Sequence, residues 1–150
     1  MPEKMTQKER EAFLAEPHIG ILSIADGARG PLTIPIWYEY EPQENLIWMT
    51  TGGVSRKGKL LKRAERISLC VHSEEPHYKY VSIEGPISIE AANIDTDTRH
   101  LADVRGDAYV SAMRAFMERS EPILVRMRPE RWLTFDSSKT FLLGRPLSHT

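Results

Sequence analysis

Short apolar stretches with period-two alternation, punctuated by Gly, Pro and Asp, dominate the chain and predict strands joined by turns. Residues 19–25 read as a strand rich in β-branched side chains, and Asp26-Gly27 with Gly30-Pro31 supplies the turn to a second strand over 32–40. Pro35 lies inside that second strand. Proline donates nothing to a ladder, so the strand is expected at a sheet edge or on a bulge, with backbone nearby left open to a ligand. A turn at 42–45 leads to a strand over 46–51, broken by Gly52-Gly53. Strands over 67–72, 78–85 and 87–92 follow, the last two meeting in a bend at Gly85-Pro86, and 123–127 and 132–135 close the series around Pro129.

Helical signals are fewer. Thr6-Gln7-Lys8-Glu9 fits a capping box and predicts a helix to about Ala15, stopped by Pro17. Ser55 opens a basic helix to about Arg66. Residues 98–120 turn helical, interrupted near Gly106-Asp107, with Tyr109, Val110, Met113, Phe116 and Met117 at helix spacing as core-facing positions. Asp95 and Asp97 read as N-capping residues, and the tail through Thr150 as irregular. About seven short strands with few helices predict a mainly β domain, residues 1–150, closed into a barrel because closure removes exposed edges.

Composition narrows the function classes. A net charge of −1 offers no global field to attract nucleic acid or an anionic surface. Cys70, the single cysteine, sits in the apolar run Ile-Ser-Leu-Cys-Val and reads as a buried small hydrophobe in a cytoplasmic protein. The polar start MPEKMTQKER and the short apolar runs predict neither secretion nor membrane insertion. The five histidines show no metal-ligand spacing, so metal chemistry is not expected.

The segment Thr50-Thr51-Gly52-Gly53-Val54-Ser55-Arg56-Lys57 carries the candidate chemistry. Two hydroxyls at a strand end precede glycines, an N-cap serine and two cations in the first helical turn. The N-terminus of a helix is already positive, so Arg56 and Lys57 are locally unfavourable there unless an anion joins them. A phosphate would satisfy both cations. A solvated basic helix face is the competing reading of the same residues.

In its order of pieces the chain resembles the pyridoxamine 5'-phosphate oxidase-like superfamily, flavin- or deazaflavin-dependent oxidoreductases with an FMN-binding split β-barrel. The resemblance rests on the hydroxyl pair, Ser-Arg-Lys, nine residues ending in Arg66 and the strand Ile-Ser-Leu-Cys-Val. Pro35-Ile36-Trp37-Tyr38 upstream, Tyr80-Val81-Ser82-Ile83-Glu84-Gly85 downstream and Arg128-Pro129-Glu130-Arg131-Trp132 add to it. The resemblance implies that Arg56 and Lys57 hold the cofactor phosphate, assisted by Thr50, Thr51 and Ser55. It implies that Pro35, Ile36 and Trp37 lie along the ring, and that the chain is a homodimer with the cofactor between subunits, where Trp132 reaches the partner's site. Ordinary core packing is the competing reading of both tryptophans.

The phrases at 34–40 and 78–86 look closer to relatives that use coenzyme F420 than to those that use FMN, and Lys59, Lys62 and Arg63 are candidates to meet the acidic tail of F420. No substrate-phosphate motif of a vitamin B6 oxidase is found near the C-terminus. The expected activity is hydride transfer to or from a small molecule, with a non-catalytic cofactor-binding or storage protein as the alternative. No catalytic residue is assigned, because the cofactor carries the hard step.

Overall fold

Alternation sends every second residue of each strand into one shared core. The structure, a computed structural model, describes residues 3–97 and 106–142. In chain order the elements are α1 (Gln7–Ala15), β1 (Ile19–Asp26), β2 (Arg29–Trp37), β3 (Glu39–Glu41), β4 (Leu46–Gly52), α2 (Arg56–Arg63), β5 (Arg66–Ser73), β6 (Lys79–Ala91), α3 (Ile94–Asp97), α4 (Asp107–Glu118), β7 (Pro122–Met127), β8 (Arg131–Asp136) and α5 (Ser138–Leu142). The strands run antiparallel to their neighbours in the order β2-β1-β5-β6-β7-β4-β3, with β8 also paired to β6.

The two ends of that path, β2 and β3, are separated in the chain by Tyr38 alone. A one-residue link brings the ends together, so the sheet is rolled into a barrel. Its interior holds Leu22 and Ile24 of β1, Ile47 and Met49 of β4, Ile67, Leu69 and Val71 of β5, Val81 and Ile83 of β6, and Val125 and Met127 of β7. Each of these buried side chains stabilises the fold by roughly 1.5–3 kcal/mol. The capping box at Thr6 and Glu9 is present, and Tyr38 Oη donates to the Leu14 carbonyl at 3.0 Å, which ties α1 to the β2–β3 junction.

Pro35 sits on β2, at one end of the strand path, opposite Ile21, as its missing donor requires. Other expectations are corrected. The strands expected over 78–85 and 87–92 are one strand, β6, which changes partners at the bend. Residues up to Glu84 pair with β8 and those up to Pro86 with β5, and those from Ile87 pair with β7. At the crossing, a Cβ on Gly85 would overlap the Arg128 carbonyl oxygen. Gly30-Pro31 belongs to β2 instead of the turn, and the strand expected over 32–40 is split into β2 and β3.

The basic helix ends at Arg63, and Arg66 opens β5, where it pairs with Glu130 at 2.8 Å. Asn93 caps α3 through its side-chain oxygen, which accepts from Thr96 N at 3.2 Å, while the Asp97 carboxylate accepts from Asn93 N at 2.7 Å. Eight strands are formed among the described residues, and part of the expected irregular tail is α5. The expectations for residues 98–105 and 143–150 lie outside the described residues.

Candidate functional site

Helix α2 is pressed against the end of β4, and Gly58 permits it. A Cβ on Gly58 would overlap the Gly52 carbonyl oxygen and lie 2.8 Å from Gly53 Cα. Gly53 N donates to the Ser120 and Glu121 carbonyls at 2.9 and 3.0 Å, locking the strand end to the segment before β7. Ser55 completes the joint. Its Oγ accepts from Gly58 N at 3.1 Å and donates to Gly52 O at 2.9 Å.

This joint separates the two cations. The Arg56 guanidinium turns outward to the Asp26 carboxylate at the β1–β2 turn and is 57% exposed. The anion that the helix start requires near Arg56 is therefore supplied by the chain itself, across 30 residues. Lys57 turns the other way and lines a cleft of about 180 Å³. Burial pushes its pKa below the ordinary lysine value. Among the described residues, neither the Lys57 ammonium nor the hydroxyls of Thr50 and Thr51 form a hydrogen bond or ion pair.

Pro35, Ile36, Trp37, Tyr38 and Glu39 form one wall of the cleft, Trp48 to Gly52 of β4 a second, and Met113, Phe116 and Met117 of α4 a third, and Asp97 lines it too. Trp37 meets Tyr109 edge-on with ring centroids 6.1 Å apart. The α4 residues read as core-facing thus divide. Met117 is buried, whereas Phe116 is 66% exposed and stands on the cleft. The walls are mostly apolar and aromatic, Lys57, Thr50 and Thr51 add a cation and two hydroxyl residues to the lining, and Glu39 and Asp97 add carboxylates.

Of the residues singled out from sequence, Pro35, Ile36, Trp37, Thr50, Thr51 and Lys57 meet in this cleft. Ser55 holds the helix start behind it, and Arg56 points away. Trp132 stands elsewhere in its own chain. The Arg10 guanidinium lies 4.0 Å over its ring, Tyr40 packs edge-on at 6.4 Å, and it rests on the barrel core.

Trp48 is a site residue that the sequence reading missed. Its signal was phase, because Ile47, Met49 and Thr51 are buried while Trp48 puts an indole on the outer face of the same strand. Beyond Trp37, Tyr38, Glu39 and Trp48, which both share, lies a second cavity of about 560 Å³ between the end of α1 and β3. Among the described residues no helix is long and apolar enough to cross a membrane.

No protein-family model matches the chain, and no curated protein does. Solved structures do. The conserved hypothetical protein Rv2991 from Mycobacterium tuberculosis aligns over 99% of this chain and 94% of its own, with a TM-score of 0.75 and 21% identity. An F420 reductase aligns over 82% of this chain and 94% of its own, with a TM-score of 0.64 and 15% identity. HutZ, the heme storage protein from Vibrio cholerae, aligns over 95% and 97%, with a TM-score of 0.65 and 15% identity.

The fold is therefore that of the FMN-binding split β-barrel, mainly antiparallel β with few helices. Solved structures of this fold include a putative pyridoxamine 5'-phosphate oxidase from Listeria innocua as well as the F420 reductase and the heme storage protein.

Proposed function

We propose that the cleft binds a phosphate-bearing flavin or deazaflavin, FMN or coenzyme F420, and that the protein is an oxidoreductase acting on a small molecule. The observation that carries this reading is Lys57, a half-buried ammonium without a partner among the described residues, in the lining of an aromatic cleft. Desolvation makes an isolated cation costly, and a bound phosphate offsets that cost with a charge-assisted hydrogen bond. Thr50 and Thr51 line the same cleft. Trp37, Ile36 and Met113 offer the flat apolar walls that a tricyclic ring requires.

When bound, such a group supplies a hydride or an electron pair. The chain's own part is to hold the phosphate at Lys57, orient the ring between β2 and α4, and keep water from it with Phe116 and Trp37. A cleft of about 180 Å³ is smaller than the roughly 300–1,000 Å³ of sites that enclose a whole ligand. That difference supports a homodimer in which a second subunit covers the exposed part of the cofactor. The likeness to HutZ supports a second reading, a binding or storage protein without turnover.

Titration of the purified protein with FMN and with F420, followed by absorbance and fluorescence, tests the binding step. Saturable binding of one of them in a dimer by light scattering, with steady-state reduction of quinones or enones, is the expected outcome. Binding without turnover would select the storage reading. Binding of neither would refute the proposal.

A further inference from the structure

Consecutive residues of a helix point about 100° apart, so two adjacent cations at the start of α2 reach different surroundings. Lys57 lines the aromatic cleft. The Arg56 guanidinium pairs instead with the carboxylate of Asp26, the last residue of β1. That carboxylate is well shielded, with 18% of its side chain exposed, so the pair is more than two charges passing in solvent. Asp26 does for Arg56 what a ligand phosphate would do, and the pair as a whole is neutral. The helix start therefore offers a ligand less positive charge than the run Ser-Arg-Lys contains.

We infer that Asp26 is a positioning residue that sets specificity: by engaging Arg56 it leaves the cofactor phosphate to Lys57 of the two cations, and it thereby favours a phosphodiester over a phosphate monoester. This assignment rests on the cofactor reading of the cleft. A phosphate monoester carries about −1.5 to −2 at pH 7, whereas a diester carries a single negative charge. A dianion calls for both cations of the helix start, and one of them is already balanced by the chain. A diester is matched by Lys57. FMN carries a monoester and F420 a diester, so the Arg56–Asp26 pair favours F420 of the two cofactors.

The probes are FMN, riboflavin 4',5'-cyclic phosphate and F420, titrated by absorbance and fluorescence into the unaltered protein, Asp26→Asn, Arg56→Ala and Lys57→Ala. The first two probes share one ring system and differ in phosphate charge. Asn-Gly suits a tight turn as Asp-Gly does, so Asp26→Asn retains the β1–β2 connection at Gly27. Asp26→Asn should tighten FMN roughly 2- to 5-fold, as expected for one partly solvated charge, and the cyclic phosphate by a smaller factor. A merely structural role for Asp26 would move both probes alike. Arg56→Ala should weaken FMN by less than about 5-fold, well short of the loss expected for Lys57→Ala.

An Arg56→Ala loss as large as that of Lys57→Ala would overturn the inference, because Arg56 would then leave Asp26 for the phosphate when the cofactor binds. That comparison leaves Asp26 untouched, so it decides even if Asp26→Asn does not fold, and it is made on F420 if F420 alone binds. A folded Asp26→Asn that binds FMN no more tightly, relative to the cyclic phosphate, than the unaltered protein does would also overturn it. Binding of no cofactor by the unaltered protein refutes the proposed function and this inference together, whereas cofactor binding with equal losses at Arg56 and Lys57 refutes this inference alone.

Discussion

Gly58→Ala should destabilise the protein, although the same change inside a helix ordinarily stabilises it by about 1 kcal/mol. The sign follows from what the new methyl would meet. It would overlap the Gly52 carbonyl oxygen and press on Gly53 Cα at 2.8 Å, and both are backbone atoms that no rotamer change can move aside. Gly53 is itself fixed by two hydrogen bonds to the Ser120 and Glu121 carbonyls, so the helix must retreat instead of the strand.

Overpacking of this kind costs about 1–3 kcal/mol and occasionally more, and backbone neighbours put this site at the upper end. Set against the helix gain, the net loss is about 1–2 kcal/mol. For a chain of 150 residues that lowers Tm by about 2–8 °C. Thermal and urea unfolding of Gly58→Ala beside Gly30→Ala measures it, since a Cβ on Gly30 has nothing within 4 Å and Gly30 has no positive φ. Retreat of α2 also moves Lys57, so the folded variant should lose cofactor affinity. A Gly58→Ala protein as stable as the unaltered one would refute the claim that this joint is closed by backbone contact.

Other changes test the electrostatics and the wall. The Lys139 ammonium, at 2.8 Å, and the Thr6 cap hold the Glu9 carboxyl below the ordinary carboxylate range. Its stabilising contribution is therefore full above about 4.5 and lost as pH falls through the lower folded value. Glu9→Gln should cost about 0.5–1 kcal/mol at pH 7, a figure discounted for solvent screening, and nearly nothing near pH 2 in urea unfolding.

The Lys57 pKa is depressed on folding, so the unfolded chain binds more protons between the depressed value and about 10.5. Stability of the cofactor-free protein should rise across that window. Lys57→Met should flatten the rise in denaturation curves taken at alkaline pH. Trp37→Asp should weaken cofactor binding about tenfold or more while the protein stays folded, and an unchanged affinity would move Trp37 to the core.

Local chemistry was readable along the chain where one residue decides the outcome. The capping box and the edge position of Pro35 follow from side-chain types at fixed spacing, whereas Cys70, read as buried, is half-buried because it falls on the opposite phase of β5 to Ile67, Leu69 and Val71. Gly85 was harder, because the Arg128 backbone that excludes a side chain there is 43 residues away. The unbroken pairing of β6 with three strands is set by that crossing and not by the local Gly-Pro pair.

In the site, the hydroxyl pair and Lys57 stood out, but Arg56 looked equivalent to Lys57. Only the fold brings Asp26 to it and leaves Lys57 facing the cleft. Met113, Phe116 and Met117 share the spacing of a core helix, and a helix face laid over a cleft has the same period as one laid over a core.

The most direct test of the central claim is the affinity of the unaltered protein and of Lys57→Ala for FMN and F420, with Lys62→Ala alongside. A phosphate held by the Lys57 ammonium gains roughly 1.5–3 kcal/mol, so Lys57→Ala should weaken the bound cofactor by about 10- to 150-fold. Lys62→Ala should leave FMN affinity unchanged, and Lys57→Ala should not lower the stability of the cofactor-free protein. Equal affinities for the unaltered protein and Lys57→Ala, in a folded variant, would contradict the assignment of this cleft to a phosphate-bearing cofactor.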